Sequence, residues 1–223
     1  MELNYLGLID DLLVNHTRNV LKNDNTEVLT FYINENVGWN YLDQNYKIND
    51  EFVQYQNNIR SYSIGHNESA KLFINSIFKR LDPLIDLDFE EMNTDNGSDI
   101  DIHSVNYSSA FQKNAVGTTI SQVSRGGSWW DILWKNTDDN FELGDNDRNT
   151  LVHEIGHTLG LSHPYKDPYN LSWNSQDTVM SYNKGNNEWN DWFTSTDIEA
   201  LQNIWGIEND NNILRFESNF NAY

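Results

Sequence analysis

The sequence has no cysteine, and its basic residues are far outnumbered by acidic ones. Without cysteine, no disulfide can hold the fold, and no thiolate can act as a nucleophile or as a metal ligand. No apolar run approaches the roughly 20 residues that a membrane-spanning helix needs. Residues 1–16 carry neither the basic region nor the small-residue cleavage site of a signal peptide. A removed leader, another export route and retention inside the cell all remain open.

The charge balance limits the partners of the protein. Lys and Arg total 14 against 34 Asp and Glu, which gives a formal net charge of −20. Such a surface repels nucleic acid and anionic membranes and keeps copies of the chain apart. We therefore expect a monomer that binds neither nucleic acid nor membranes. The charge would favour cationic partners and divalent metals, although a saline habitat or a general need for solubility is the simpler explanation.

The chain is long enough to form a real core, because 38% of its 223 residues are hydrophobic and 13% are aromatic. Runs rich in strand-forming residues, or alternating between apolar and polar ones, predict strands at Val28–Ile33, 85–91, 99–105, 115–123 and Ser128–Trp134. Helical patterns occupy 3–21, the stretch from Asn67 to Pro83, the segment after 150, and a final helix capped by Thr196 and Glu199. Residues 34–64 show no period and are predicted to be a loop. The order indicates an α+β protein with one twisted sheet on helices.

One segment carries a metal-binding pattern, TLVHEIGHTLGLSHP at 150–164. On an α-helix, His153 and His157 differ by about 40° in direction and about 6 Å in height, so both imidazoles reach one point. His163 can join them only if the chain turns back, and Gly160 permits such a turn. Three histidines leave a fourth zinc position for water, as in a catalytic rather than a structural site.

Glu154 follows the first histidine and points about 100° away around the helix. It is therefore placed to act as a general base on a water instead of binding the metal. By chance, a pattern of this kind should occur in a chain of this length on the order of once in 10⁴. The remaining histidines, His16, His66 and His103, have no companions at metal-binding spacing, and we predict structural or surface roles for them.

The segment HEIGHTLGLSH resembles the extended signature of metzincin zinc proteases, and QDTVMSY at 176–182 resembles their Met-turn. Pro164 after the third histidine, the Tyr169–Asn170 pair and the closing TSTDIEALQNIWG helix are most similar to serralysins. The resemblance implies a secreted endopeptidase that cleaves extended polypeptides and binds one Zn²⁺ through His153, His157 and His163, with Glu154 as base. It further implies that Met180 supports the site and that Tyr182 stabilises the oxyanion. The strand before the last one would pair with substrate through Ala115, Val116, Gly117, Thr118 and Thr119.

The resemblance also implies a single metzincin domain over 1–223. Its upper part, 1–160, would hold a mostly parallel sheet of about five strands with a backing helix and the active-site helix. Its lower part, 161–223, would be irregular, with the Met-turn and the final helix. Serralysins usually add a calcium-binding β-roll with Gly-Gly-x-Gly-x-Asp repeats, and this chain has none. A fragment and a compact relative both explain this. Calcium in the acidic loop 136–147 is possible in principle, but a solvated loop is the favoured prediction.

Two alternatives to an active protease stay open at this stage. The chain could be a catalytically silent zinc-binding protein, although a binding module has no need of Glu154. It could also be latent, with residues 1–25 as an inhibitory segment whose Asp10 or Asp11 reaches the zinc.

Overall fold

The computed structural model describes residues 3–22, 27–48, 51–124, 126–137, 143–185 and 187–209, with the side chains of 43–48 and 51–58 left aside. Four α-helices and seven strands, together with short 3-10 turns, make up this part of the chain. In chain order they are α1 (Asp11–Leu21), β1 (Val28–Ile33), β2 (Val37–Ile48), β3 (Glu51–Ile64), α2 (Glu68–Leu81), β4 (Asp88–Met92), β5 (Ile100–Ser108), β6 (Gly117–Val123), β7 (Ser128–Trp134), α3 (Asp145–Thr158) and α4 (Ser195–Trp205).

The seven strands form one mixed sheet. Its central part runs β4–β1–β5–β7, and each of these neighbours is parallel. Strand β6 adds to β7 in the antiparallel direction. The antiparallel hairpin of β2 and β3 joins the far end of β5 through β3. The predicted class, an α+β protein whose sheet is parallel in its central part, is confirmed. The prediction of about five strands is wrong, because the hairpin β2–β3 raises the number to seven.

The sheet is backed by α2, as the sequence pattern predicts. Asn67 is the N-cap of this helix, and its side chain accepts a hydrogen bond from the backbone N–H of Ala70 at 2.8 Å. Most of the apolar face of the helix is buried, and the ring of Phe78 stacks on Phe31 of β1 with 4.0 Å between centroids. Large side chains of β7, Trp130 and Trp134, fill the same core.

Three predictions about local structure are wrong. Residues 34–64 are not a loop but contain the hairpin β2–β3, whose strands are stabilised by pairing with each other and with β5 rather than by an apolar pattern of their own. The strand expected at 85–91 begins only at Asp88, because a 3-10 turn with Pro83 precedes it and Ile85 and Leu87 are buried without being in a strand. The capping box of α4 is formed by Thr194 and Asp197 instead of Thr196 and Glu199.

The N-terminal segment packs on the part of the chain that follows α3. Ile9 forms an antiparallel bridge with Leu161, and the backbone N–H of Ser162 donates to the carbonyl of Leu8 at 2.6 Å. Within the described residues, no helix is long and apolar enough to cross a membrane. The described residues do not include all of the chain on which predictions were made. They leave out parts of the acidic loop 136–147, parts of the proposed inhibitory segment 1–25, and all of 210–223.

Candidate active site

His153 and His157 lie on α3 and share one face of it. Helix α3 runs beneath β6 and β7 and is almost entirely buried, with His153 only 5% exposed. Because the residues are four apart, their rings meet at one side of the helix with 4.7 Å between centroids. The predicted convergence of these two side chains is thus present in the structure.

The chain turns back at Gly160 and brings in His163. Gly160 has φ +99°, in the region that favours glycine. A Cβ atom there would lie 2.6 Å from Cγ2 of Val14 in α1, so the close approach of α1 also requires glycine. The His163 ring comes to 5.3 Å from His153 and 5.0 Å from His157. One ring nitrogen from each of the three histidines lies within 4.8 Å of the others.

The hydrogen bonds of two of these rings fix which nitrogen is free. Nδ1 of His153 lies 2.8 Å from the backbone oxygen of Val179, and Nδ1 of His157 lies 2.8 Å from that of Leu161. Each Nδ1 must therefore carry the proton and donate, which leaves the Nε2 lone pair available. Nε2 of His153 and of His163 is buried and has no hydrogen-bond partner within the described part of the chain.

These residues fit a zinc ion. Burial lowers the pKa of His153 well below its usual value, lowers that of His157, and lowers that of His163 to about 3. The imidazoles are therefore neutral near pH 7, as metal binding requires. Buried nitrogens without a partner are otherwise costly, and a shared cation would satisfy them together.

Glu154 lies beside this histidine group and contacts β6. The hydroxyl of Thr119 is 2.7 Å from Oε2 of the carboxylate and 3.1 Å from the backbone oxygen of the same residue. Burial raises the pKa of Glu154 to about 8, while the hydrogen bond from Thr119 opposes this shift. A carboxyl group with a pKa near neutrality is suited to taking and returning a proton.

Met180 and Tyr182 follow on the segment that passes below the histidines. Met180 is fully buried, and a Cβ atom at Gly156 of α3 would lie 3.0 Å from its sulfur. The ring of Tyr182 lies 5.4 Å from His153 and 4.7 Å from His163. Burial raises the pKa of Tyr182 to about 12, so its phenol remains a hydrogen-bond donor at neutral pH.

The site opens into a cleft of about 650 Å³, lined on one side by residues 112–119 and on the other by α3 and by Tyr169 and Tyr182. Within the residues that the structure describes, β6 pairs with β7 alone, so its other edge is free. Ala115 and Val116 precede this strand, but the carbonyl of Val116 still accepts a hydrogen bond from Lys135.

The two carboxylates suggested for latency are not part of the histidine group. Asp10 caps α1 by accepting a hydrogen bond from the N–H of Leu12 at 2.8 Å, and its other oxygen lies 3.6 Å from Nζ of Lys166. Asp11 is exposed in the first turn of the helix. Among the described residues, the three histidines are the only group of three or more His, Asp or Glu side chains that could hold a metal ion.

The other three histidines lie elsewhere, in agreement with the prediction for them. Nε2 of His16 is 2.9 Å from the backbone oxygen of Trp129. Nδ1 of His66 is 2.7 Å from the backbone oxygen of Asn34, and Nδ1 of His103 is 2.7 Å from the side-chain nitrogen of that asparagine.

Comparison with known proteins finds relatives among metalloproteases. No family model matches the chain. It is 34% identical over 87 residues to Serralysin G of Dickeya chrysanthemi, which covers 29% of this chain and 17% of the relative. It is 32% identical over 124 residues to Serralysin of a Photorhabdus species, which covers 44% of this chain and 26% of the relative. The chain is related to serralysins. The matched regions span about a quarter of these relatives or less, and the relationship supports a metalloprotease in general.

The loop after His163 holds two residues other than glycine in an unusual backbone conformation. Tyr165 has φ +49° and Lys166 has φ +63°, both in the left-handed region. The Tyr165 ring packs on Gly7, where a Cβ atom would lie 2.6 Å from the ring. The hydroxyl of Tyr165 also accepts a hydrogen bond from the N–H of Asn4 at 3.3 Å. These contacts with the N-terminal segment hold a conformation that glycine would otherwise adopt at lower cost.

The side-chain roles of two residues near the site could not be recognised from the sequence. Thr119 was expected to contribute only its backbone, whereas its side chain contacts Glu154. Asp197 is buried in α4 and accepts hydrogen bonds from Thr178, Val179 and Thr194. It forms a capping box with Thr194, so the box predicted at Thr196 and Glu199 is wrong. Thr194 with Asp197 and Thr196 with Glu199 both have the spacing of a capping box. Only the contacts of Asp197 with Thr178 and Val179, just before Met180, distinguish the first pair from the second.

Proposed function

We propose that this protein is a zinc-dependent endopeptidase that hydrolyses peptide bonds of extended polypeptides. His153, His157 and His163 would hold the metal, and Glu154 would act as the general base. The observation that carries this proposal is the convergence of three neutral imidazoles, two of them with buried and unpartnered Nε2 atoms, beside a buried carboxylate. The sequence relationship to serralysins supports it independently.

When bound, zinc polarises a substrate carbonyl and lowers the pKa of a water molecule to about 7. Glu154 takes the proton of the attacking water and then gives it to the departing amine. The phenol of Tyr182 donates a hydrogen bond to the oxygen of the carbonyl under attack, where negative charge develops. The free edge of β6 and the preceding residues 115–116 bind the substrate backbone as an added strand, which reads shape more than sequence.

The arrangement is that of a metzincin, with an upper part at 1–160 and a lower part at 161–223 separated by the cleft. The segment of Met180 corresponds to the Met-turn and supports the site from below. We further propose a secreted, monomeric enzyme that acts on polypeptides and binds neither nucleic acid nor membranes.

The test compares zinc-loaded wild type with zinc-loaded Glu154→Gln on an unfolded protein substrate, with the metal content of each measured. We expect one zinc in both proteins and a loss of about 10²–10⁴-fold in kcat for the variant, the usual contribution of a general base. Glu90→Gln is the matched control, because Glu90 is exposed on β4 at the edge of the sheet remote from β6, and it should cleave like wild type.

The proposal fails if wild type binds zinc and cleaves nothing, or if Glu154→Gln is as active as wild type. In the first case a silent or latent zinc protein becomes the explanation, and removal of the N-terminal residues would separate the two. Restored cleavage after that removal would indicate latency.

A further inference from the structure

Strand β6 approaches α3 with two residues that face Glu154. Gly117 and Thr119 are two apart in the strand, so they lie on the same face of it. Oγ1 of Thr119 lies 2.7 Å from Oε2 of Glu154. At Gly117, a Cβ atom would come to 2.9 Å from the carboxylate carbon of Glu154. The carboxylate therefore occupies space that is open because Gly117 has no side chain, and the hydroxyl of Thr119 lies at the border of that space.

The hydrogen bonds of this carboxylate are unequal. Oε2 accepts from Thr119, whereas the described residues make no hydrogen bond to Oε1. The single hydroxyl proton of Thr119 has two acceptors within reach, and both belong to Glu154. One is Oε2, and the other is the backbone oxygen, which lies 3.1 Å away. Even when the carboxylate is protonated, this hydroxyl retains an acceptor and stays in place.

We propose that Thr119 is a positioning residue for Glu154: its hydroxyl binds Oε2 and so directs Oε1 toward the water that attacks the substrate. This inference rests on the proposed function. It gives β6 a second role, because the strand whose backbone would bind the substrate also orients the base through a side chain. Misplacing a reacting group by about 1 Å can cost on the order of 10²-fold in rate, so such a contact matters for turnover.

The experiment uses the full-length, zinc-loaded chain with Thr119→Val and Thr119→Ser. Valine keeps the shape and removes the hydroxyl, whereas serine keeps the hydroxyl and removes a methyl group. We expect one zinc per chain in both variants. Thr119→Val should lose about ten- to a hundredfold in kcat with KM within about twofold of wild type. Thr119→Ser should recover kcat to within about threefold of wild type, because the hydrogen bond is restored.

The matched control is Ser121→Ala. Ser121 lies on the same face of β6, two residues beyond Thr119, and is exposed. Removal of its hydroxyl should leave kcat and KM unchanged.

Several results would overturn the proposal. An unchanged kcat in Thr119→Val would do so, and so would a rise in KM alone, which would assign Thr119 to substrate binding. A failure of serine to rescue would show that the methyl group, and hence packing, is what matters. If wild type itself does not cleave, the proposed function fails separately. Crystal structures of the zinc-loaded wild type and Thr119→Val then decide, since an unmoved Glu154 carboxylate in the variant would contradict a positioning role.

Discussion

Nδ1 of His153 lies 2.8 Å from the backbone oxygen of Val179, the residue before Met180. The backbone N–H of Val179 in turn donates to Oδ2 of Asp197 at 3.1 Å. A buried carboxylate in α4 thus holds the peptide that orients a histidine in α3. Residues that orient a ligand in this way affect metal binding without contacting the metal.

Replacement of Asp197 by asparagine should weaken zinc binding. The carboxylate accepts hydrogen bonds from Thr178, Val179 and Thr194 through both of its oxygens, and an amide would leave only one oxygen to accept them. We expect a loss of about 2–4 kcal/mol in the free energy of unfolding, the range for a broken buried polar network, and about 10–100-fold weaker zinc binding. Urea unfolding and competition with a zinc chelator measure the two effects. Asp177→Asn, at an exposed position three residues before Met180, should change neither.

Gly117→Ala should reduce turnover without loss of metal. The new methyl group would lie 2.9 Å from Cδ of Glu154 and 2.8 Å from Cγ2 of Thr150, so the carboxylate has to move. We expect kcat to fall by about 10²-fold with zinc still bound. At Gly126, in the turn after the same strand, a methyl group would meet Ser124 at an ordinary 3.5 Å. Equal activities of Gly117→Ala and Gly126→Ala would contradict the prediction.

Tyr182→Phe tests the proposed donor to the oxyanion. The phenol has a pKa raised to about 12 by burial and stays protonated over the working range. Its removal should lower kcat by about 10²-fold, as expected when one such donor is lost, and change KM little. Steady-state kinetics with measured zinc content provide the test. Tyr107→Phe serves as the control, because Tyr107 is exposed near the end of β5 and does not line the cleft. A raised KM with unchanged kcat would instead indicate a role in substrate binding.

His66 should make stability fall as the pH is lowered. Burial lowers its pKa from 6.5 to about 4, although the hydrogen bond that Nδ1 donates to the backbone oxygen of Asn34 opposes this shift. Nε2 accepts a hydrogen bond from Trp134 at 2.9 Å. Between pH 6.5 and 4, the unfolded chain binds a proton at this residue and the folded chain does not, so stability is lost over that window. At pH 5 the loss is about 2 kcal/mol relative to pH 7.5.

The measurement is the difference between wild type and His66→Gln, in urea unfolding of the metal-free proteins at pH 7.5 and pH 5. The difference is needed because Asp101, whose pKa burial raises to about 7, acts in the opposite sense. A glutamine can replace both hydrogen bonds of His66 but does not titrate. The variant should therefore lose about 2 kcal/mol less than wild type between the two values of pH. An identical loss in both proteins would contradict the assignment.

The histidine group could be predicted from the sequence because its geometry is local. The spacing of His153 and His157 on one helix, and the turn at Gly160, are set by residues within a short segment. The strands β1 and β7 and the helix α2 were also predictable, since their apolar patterns reflect one buried face. The hairpin β2–β3 was not, because its pairing with β5 rather than its own pattern stabilises it.

The contacts around the histidine group depend on distant parts of the chain. That Thr119 meets Glu154 follows from how β6 lies on α3, and threonine is common in strands for reasons unrelated to catalysis. Likewise, Asp197 was not distinguishable from Glu199 as the partner in a capping box. Only its contacts with Thr178 and Val179 explain why Asp197 is buried.

The packing of the N-terminal segment on the turn after α3 has a consequence for how the protein folds. Asn4 and Tyr165, which this packing brings together, are 161 residues apart in the sequence. Contacts between residues so far apart in the sequence form slowly, because a long loop must close before they contribute to stability. During synthesis, the first helix leaves the ribosome long before its docking surface exists. We therefore expect the loop that carries His163 to acquire its final conformation late, so that binding of the proposed zinc ion would be among the last events of maturation.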